Sequence, residues 1–215
     1  MASTAISAQG SIVQIATGSG GAKSITGVAV GSPTILTSSA HGFSNGDVVT
    51  FAALTGADAA LLNGLTFTVR DKTANTFAVS VDTTGKTITA GSGTATPTTF
   101  TAIGNVKTFS GFDGQASELD KTNMSSTAKE FLLGLTDPGH FQIDMDQDNG
   151  DAGQLALVAA QISGAAKQFK LILPSGTTPT ATFTAYVKSA SSSGGVDQIL
   201  KRSSQLRISG AIAWS

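Results

Sequence analysis

Along most of the chain apolar and polar residues alternate in short runs closed by Gly, Asn, Asp or Pro, the pattern of β-strands exposed on one face. "SIVQIAT" (11–17) opens the series. "SPTILTS", "GDVVTFAAL", "GLTFTVRD", "NTFAVSVD" and "KTITAG" follow between Ile25 and about Ala90, then "FTAIGNVKTFSG" (100–111). "GHFQIDMDQD" (139–148) alternates strictly, placing Phe141, Ile143 and Met145 on one face and Gln142, Asp144 and Asp146 on the other. "KQFKLILP", "TATFTAYVKSA" and "QLRISGAIAW" close the chain as strands. Helical spacing is rare. Asp151 can cap a helix, Gln154 sits three residues on, Leu155, Val158, Ala159 and Ile162 share a face, and Gly164 ends it. "TAKEFLLGL" (127–135) carries a Thr127–Glu130 capping box that predicts a short helical turn stopped at Gly134.

Two soft segments interrupt the strands: "GSGGAKS" (18–24) and "AGSGTATPTT" (90–99). Such seams around a run of five or six short strands predict an inserted all-β module over 25–97. The remainder, 1–24 with 98–215, forms a discontinuous β-sandwich or barrel domain with one packed helix. "FDGQASELDKTNMSS" (112–126) is polar and aperiodic. The expected fold class is mainly β.

Composition narrows the function. Of 215 residues, 40% are hydrophobic, so a core can form, yet only 13% are charged, about half the usual share. Ser, Thr, Gly and Ala supply the polarity, as in β-rich proteins whose surfaces other subunits cover. The formal net charge of −1 provides no field for nucleic acid or an anionic membrane. With no cysteine, disulfides, thiolate metal sites and a thiol nucleophile are excluded. "MASTAISAQGS" lacks the basic start and apolar run of a signal peptide, and no run approaches the roughly 18 apolar residues of a membrane span.

Several motifs mimic chemistry. "GFSNG" (42–46) matches the nucleophile elbow G-x-S-x-G, and Ser44, Asp137 and His140 even follow the hydrolase order. An elbow needs a helix directly after the serine. "DVVTF" follows instead, and Asn45-Gly46 is a turn dipeptide. "DMDQDNGDAG" (144–153) resembles a calcium loop with Asp144, Asp146 and Asp148 leading. Asn149 and Leu155, however, stand where the loop needs glycine and glutamate. His41 and His140 stand alone beside glycines and read as turn residues or buried hydrogen-bonders. Lys201-Arg202 with Arg207 lacks any nucleic-acid motif. Neither catalytic nor metal nor cofactor residues are therefore assigned, and the chain reads as a non-enzyme.

The stretch "IGNVKTFSGFDGQASELDKTNMSSTAKEFLLGLTDPGHFQIDMDQDNGDAGQLALVAA" resembles the tail tube (major tail) protein of long, non-contractile-tailed bacteriophages. So does "FKLILPSGTTPTATFTAYVKSASSSGGVDQILKRSSQLRISGAI", and the likeness includes the strand at 11–17, about 140 residues together. The block with "HGF", "GD" and "LNG" is similar to a small β module recurring in phage structural proteins, in which HGFSNG is a turn into a strand.

The resemblance implies a virion tail subunit, made in the host bacterial cytoplasm. Its hexameric rings would stack into a hollow tube around a tape measure protein, meet tail initiator and terminator proteins, and conduct DNA without sequence-specific binding. Gln142, Asp144 and Asp146 are then expected to line the lumen, with Lys170 on a neighbouring strand as partial compensation. Residues of the polar stretch, Phe112, Asp113, Glu118, Asp120 and Lys121, are expected at contacts between rings. The other class of function is a β-rich binding or adhesion protein of a phage particle with 25–97 as its binding module. That module offers only Phe43, Phe51, Phe67 and Phe77 as aromatics, which read as its core.

Overall fold

The structure, a computed structural model, describes residue 5 and residues 7–174 and 180–214. Residues 1–4 and 6, part of the opening stretch that lacks a basic start, lie outside the described residues. In chain order the early strands are β1 (Ile12–Ser19), β2 (Lys23–Ser24), β3 (Gly27–Ala29), β4 (Thr34–Thr37), β5 (Val48–Ala52), β6 (Thr66–Arg70), β7 (Thr76–Val79) and β8 (Thr94–Ala102). Then come β9 (Val106–Gly111), β10 (Gln115–Asp120), β11 (Phe131–Asp137) and β12 (His140–Asp146). Helix α1 (Ala152–Ser163) precedes β13 (Lys167–Ile172), β14 (Thr180–Ser193) and β15 (Lys201–Trp214). The fold is mainly β, as expected, with antiparallel pairing throughout the named registers.

Two compact units emerge. One comprises residues 1–101, 170–182 and 213–215. Its strands run β3-β4-β7-β6-β5-β8-β1, and its buried cluster is led by Leu36, Phe51, Leu62, Val69 and Phe77, all drawn from 25–95. Phe43, Phe51 and Phe77 are core residues. Their rings meet edge-on or stacked 5.3–6.2 Å apart. Neither soft segment is a loose linker. β1 extends to Ser19, Lys23 and Ser24 pair with Ala95 and Thr94, and Thr94–Ala102 is a continuous strand. The β-branched threonines at 94, 96, 98 and 99 carry that strand, outweighing the glycine and serine before them.

The second unit comprises 102–169 and 183–212. Its strands run β14-β15-β12-β9. The alternation of 140–146 is realised: Phe141, Ile143 and Met145 are buried and their neighbours are not. Phe112, Phe141, Phe169 and Phe183 form an aromatic cluster with centroids 5.1–5.8 Å apart. Each fully buried ring contributes roughly 1.5–3 kcal/mol.

Two local expectations fail here. Residues 127–135 form no helical turn. Lys121 N–H bonds the Glu130 carbonyl at 3.0 Å and Glu130 N–H bonds Thr122 Oγ1 at 3.0 Å, so cross-strand pairing of β10 with β11 replaces the capping box. Gly134 faces a bulge at Ser117 rather than ending a helix. Helix α1 begins at the Asp151 cap and ends at left-handed Gly164 as expected, but it is rotated. Gly153, Gln154, Leu157 and Ala160 are buried, while Leu155 and Ile162 are exposed. A methyl group on Gly153 would collide with the Ala102 carbonyl oxygen, so the glycine lets the helix seat on this side.

Candidate functional site

The polar face of β12 is one residue wide and flanked on both sides. Paired residues in an antiparallel ladder share a face, so Gln142, Asp144 and Asp146 stand beside Gln205, Ser203 and Lys201 of β15. On the other side Ser110 and Thr108 of β9 face Gln142 and Asp144. Asp144 accepts from Ser203 Oγ at 2.6 Å, Thr108 Oγ1 at 3.1 Å and Gln142 Nε2 at 3.2 Å. These bonds, the Ser203 hydroxyl foremost, hold its carboxyl below the usual range. Lys107 Nζ lies 2.9 Å from Asp146. A bulge between Asp144 and Met145 brings Lys107 there. The compensating cation is thus Lys107, not Lys170, whose partner is Asp47 at 3.5 Å. Two carboxylates and two lysines, Lys107 and Lys201, make this face balanced rather than acidic.

The polar stretch 112–126 is ordered as half of a hairpin. β10 and β11 form a two-stranded sheet with no further strand on either edge among the described residues. Leu119 and Leu132 are partners on one face; Phe131 and Leu133 lie on the other with their partners Asp120 and Glu118, and Leu135 sits at the bulge that interrupts the alternation between Leu133 and Thr136. All five apolar side chains are at least half exposed. At the base, Arg207 of β15 pairs with Asp137, and its Nη1 approaches His140 Nε2 at 3.3 Å. Asp113 accepts the His140 N–H at 2.6 Å. That bond chiefly lowers the Asp113 carboxyl, and the Gly139 N–H followed by Arg207 lowers Asp137. A groove of about 380 Å³ opens here between Gln115, Ser117, Leu135 and Arg207. Of the inter-ring candidates, Phe112 is half-buried against Phe141 and Phe183, Asp113 belongs to this base, and Lys121 pairs with Glu130 at 3.4 Å. Glu118 and Asp120 are exposed on the hairpin.

Gln154 anchors α1 from inside. Fully buried, it accepts from Asp148 N–H at 3.1 Å and donates to the carbonyls of Asp146 at 2.9 Å and Gly104 at 3.1 Å. Its own N–H meets the Asp151 cap at 2.7 Å.

The catalytic look-alikes dissolve into structure. Ser44 sits in a turn whose Asp47 accepts the Ser44 N–H at 2.8 Å, and strand β5 rather than a helix follows. His41 is buried; its Nδ1 accepts the Phe43 N–H at 2.9 Å and Nε2 faces the Thr76 carbonyl at 3.3 Å. Asp144, Asp146 and Asp148 are claimed separately, by Ser203, by Lys107 and by the Gly150 N–H. No group of three potential ligands gathers among the described residues.

Sequence reading missed Lys107, Ser203 and Thr108 as neighbours of Asp144 and Asp146, since only the registers of β9 and β15 bring them together. It also missed the exposed side chains of Phe131, Leu133 and Leu135. Their alternation (i, i+2, i+4) was the available signal, masked by the T-x-x-E match.

Residues 79–215 match the family described as phage tail tube, TTP, lambda-like. Among solved structures, a chain of the six-fold symmetrised cryo-EM structure of the anti-feeding prophage baseplate is similar, with 11% identity and a TM-score of 0.41. The alignment covers 80% of this chain and 94% of that one. No curated protein sequence matches. Among the described residues no helix is long and apolar enough to cross a membrane.

Proposed function

The chain belongs to the lambda-like phage tail tube family, whose members are structural components of the virion tail, and from that premise we propose that six copies close into a ring and that rings stack into the hollow tube. The β10–β11 hairpin carries this reading. A two-stranded sheet is marginal alone in water, and this one exposes Leu119, Phe131, Leu132, Leu133 and Leu135 with both edges unpaired among the described residues. Such a surface is stable when neighbouring copies bury it. Among the described residues β9 likewise ends its sheet with one edge unpaired, and edge-to-edge pairing around a closed ring would remove that liability.

The polar face of Gln142, Asp144 and Asp146 lines the lumen in this reading. A conduit for DNA works best without grip, because every phosphate-bonded cation would be repeated around every ring. Lys107 and Lys201 set against Asp144 and Asp146 leave this face without net charge. The tube encloses the tape measure protein, is begun and ended by initiator and terminator proteins, and lets DNA slide without sequence-specific contacts. We also propose that residues 25–97 are an insertion, joined to the rest of the chain through β8, which runs across its end.

Negative-stain microscopy of purified protein tests the proposal. Rings or tubes are expected on concentration or with tail initiator added; a protein that stays monomeric under both conditions overturns it.

A further inference from the structure

We infer that the outward face of α1 is the dock for the β10–β11 hairpin of a second copy of the chain, an inference that rests on the tube reading. From Ala152 to Ser163 the helix carries no charged residue. Leu157 and Ala160 are buried on one side, yet Leu155 is 51% and Ile162 81% exposed on the other, with exposed Ala159 between them. A helix apolar on both sides is ordinarily covered on both. Leu155, Ala159 and Ile162 (i, i+4, i+7) form a stripe about 10 Å long at the helical rise per residue.

The hairpin offers an apolar surface for that stripe. Phe131 and Leu133 share one face of β11, about 7 Å apart, and Leu135 follows at the bulge. Leu133 and Leu135 are 75% and 92% exposed. The small Ala159 leaves a saddle between Leu155 and Ile162, and Leu133, more exposed than Phe131, is the side chain that fills it.

Charge sets the orientation. Asp120 and Glu118 pair across the strands with Phe131 and Leu133 and so share their face. Neither has an ion-pair partner among the described residues. Asp151 caps the start of α1 and Lys167 follows its end. Phe131 lying at the Ile162 end therefore brings Asp120 toward Lys167 and away from Asp151. Both surfaces are open in the single chain, so neither covers the other within one copy. A dock and a ligand on different surfaces give a head-to-tail contact, which propagates around a ring or along a stack instead of closing into a pair.

The chain lacks cysteine, which makes cross-linking clean. Leu133→Cys protein and Ala159→Cys protein are mixed under tube-forming conditions and oxidised. The expected result is a disulfide-linked dimer in the mixture well above that of either variant alone. In parallel, Leu133→Asp and Ile162→Asp should each lower tube yield at least about tenfold, the loss expected when a buried apolar contact is replaced by a carboxylate, with monomer melting unchanged. Loss of tubes with Leu133→Asp but normal tubes with Ile162→Asp and no mixed dimer would overturn the helix as dock while leaving the tube reading intact. Wild-type protein that forms no tubes would overturn both.

Discussion

Lys170 Nζ sits 3.5 Å from Asp47 Oδ1, and the second oxygen of the same carboxylate holds the Ser44 N–H at 2.8 Å. Lys170 is nearly buried and also lies 4.8 Å over the Phe100 ring. The turn that imitates a nucleophile elbow thus serves to aim a carboxylate at a buried cation. A buried ammonium that loses its partner costs several kcal/mol, whereas an apolar replacement of similar volume is close to neutral.

The first prediction concerns that pair and the 25–97 module. Deleting residues 25–97 removes Asp47 and strands Lys170. The deletion alone should fold less stably than the deletion combined with Lys170→Met, which is expected to give a cooperative thermal transition. In the full chain Asp47→Ala should cost about 1–2 kcal/mol, less than a fully buried pair because Asp47 remains partly solvated. A double variant that melts no higher than the simple deletion would show that the unpaired Lys170 is not what destabilises the shortened chain.

Ser44→Ala is expected to be silent. Only the backbone of Ser44 is used, its N–H toward Asp47 and its carbonyl accepting the Asp47 N–H at 3.1 Å. Stability should change by less than about 0.5 kcal/mol, and the wild type should not react with a fluorophosphonate probe. Stoichiometric labelling at Ser44 would contradict the turn assignment.

Gln154→Leu should destabilise the second unit by about 3 kcal/mol. The leucine fills similar volume but leaves the carbonyls of Gly104 and Asp146 and the Asp148 N–H without their partner, each worth roughly 1 kcal/mol or more when buried. Gly153→Ala should also destabilise, since its methyl meets the Ala102 backbone, not a yielding side chain. Denaturant unfolding monitored by circular dichroism measures both.

Acid stability follows from the carboxylates. Asp113, Asp137 and Asp144 all have folded-state values below their ordinary ones, through hydrogen bonds to the charged form. Groups depressed on folding stabilise the protein above the unfolded value, about pH 4 for aspartate, and lose that contribution as pH falls through the lower folded value. The melting temperature should be flat on the acid side down to about pH 5 and drop below about pH 4. Asp144→Asn should shrink the drop, because one titrating group is gone. An unchanged acid limb in that variant would mean the Ser203 and Thr108 bonds do not favour the charged form.

Asp144→Lys with Asp146→Lys tests the lumen. The double change converts a balanced face into one with four cations per subunit, counting Lys107 and Lys201. Tubes should still assemble, because the altered face is opposite the buried one, but DNA ejection should slow, most at low salt where phosphate contacts are least screened. Normal ejection across a salt series, from particles confirmed to carry both lysines, would place these carboxylates outside the channel.

What the sequence determined by itself is what depends on neighbours along the chain. Strict alternation from His140 to Asp146 sorted Phe141, Ile143 and Met145 from Gln142, Asp144 and Asp146, because side chains on a strand switch sides at every residue. Asp151 and Gly164 bounded the helix, since caps act within one turn, and Asn45-Gly46 declared a turn despite the serine between glycines. The tertiary structure decided everything that joins distant segments. Lys107 reaches Asp146 through a bulge in the β9–β12 register, and Lys170 finds Asp47 across more than a hundred residues. The T-x-x-E signal lost to cross-strand bonds that join Glu130 to the Lys121 N–H and the Thr122 hydroxyl oxygen. The helix turned its smaller side inward because Gly153 and Gln154 fit the strand ends of Ala102, Gly104 and Asp146. Hydrophobic periodicity measures how apolar each face is; which of two apolar faces becomes core depends on the shape of the surface it meets, and that surface is made by residues far away in the chain.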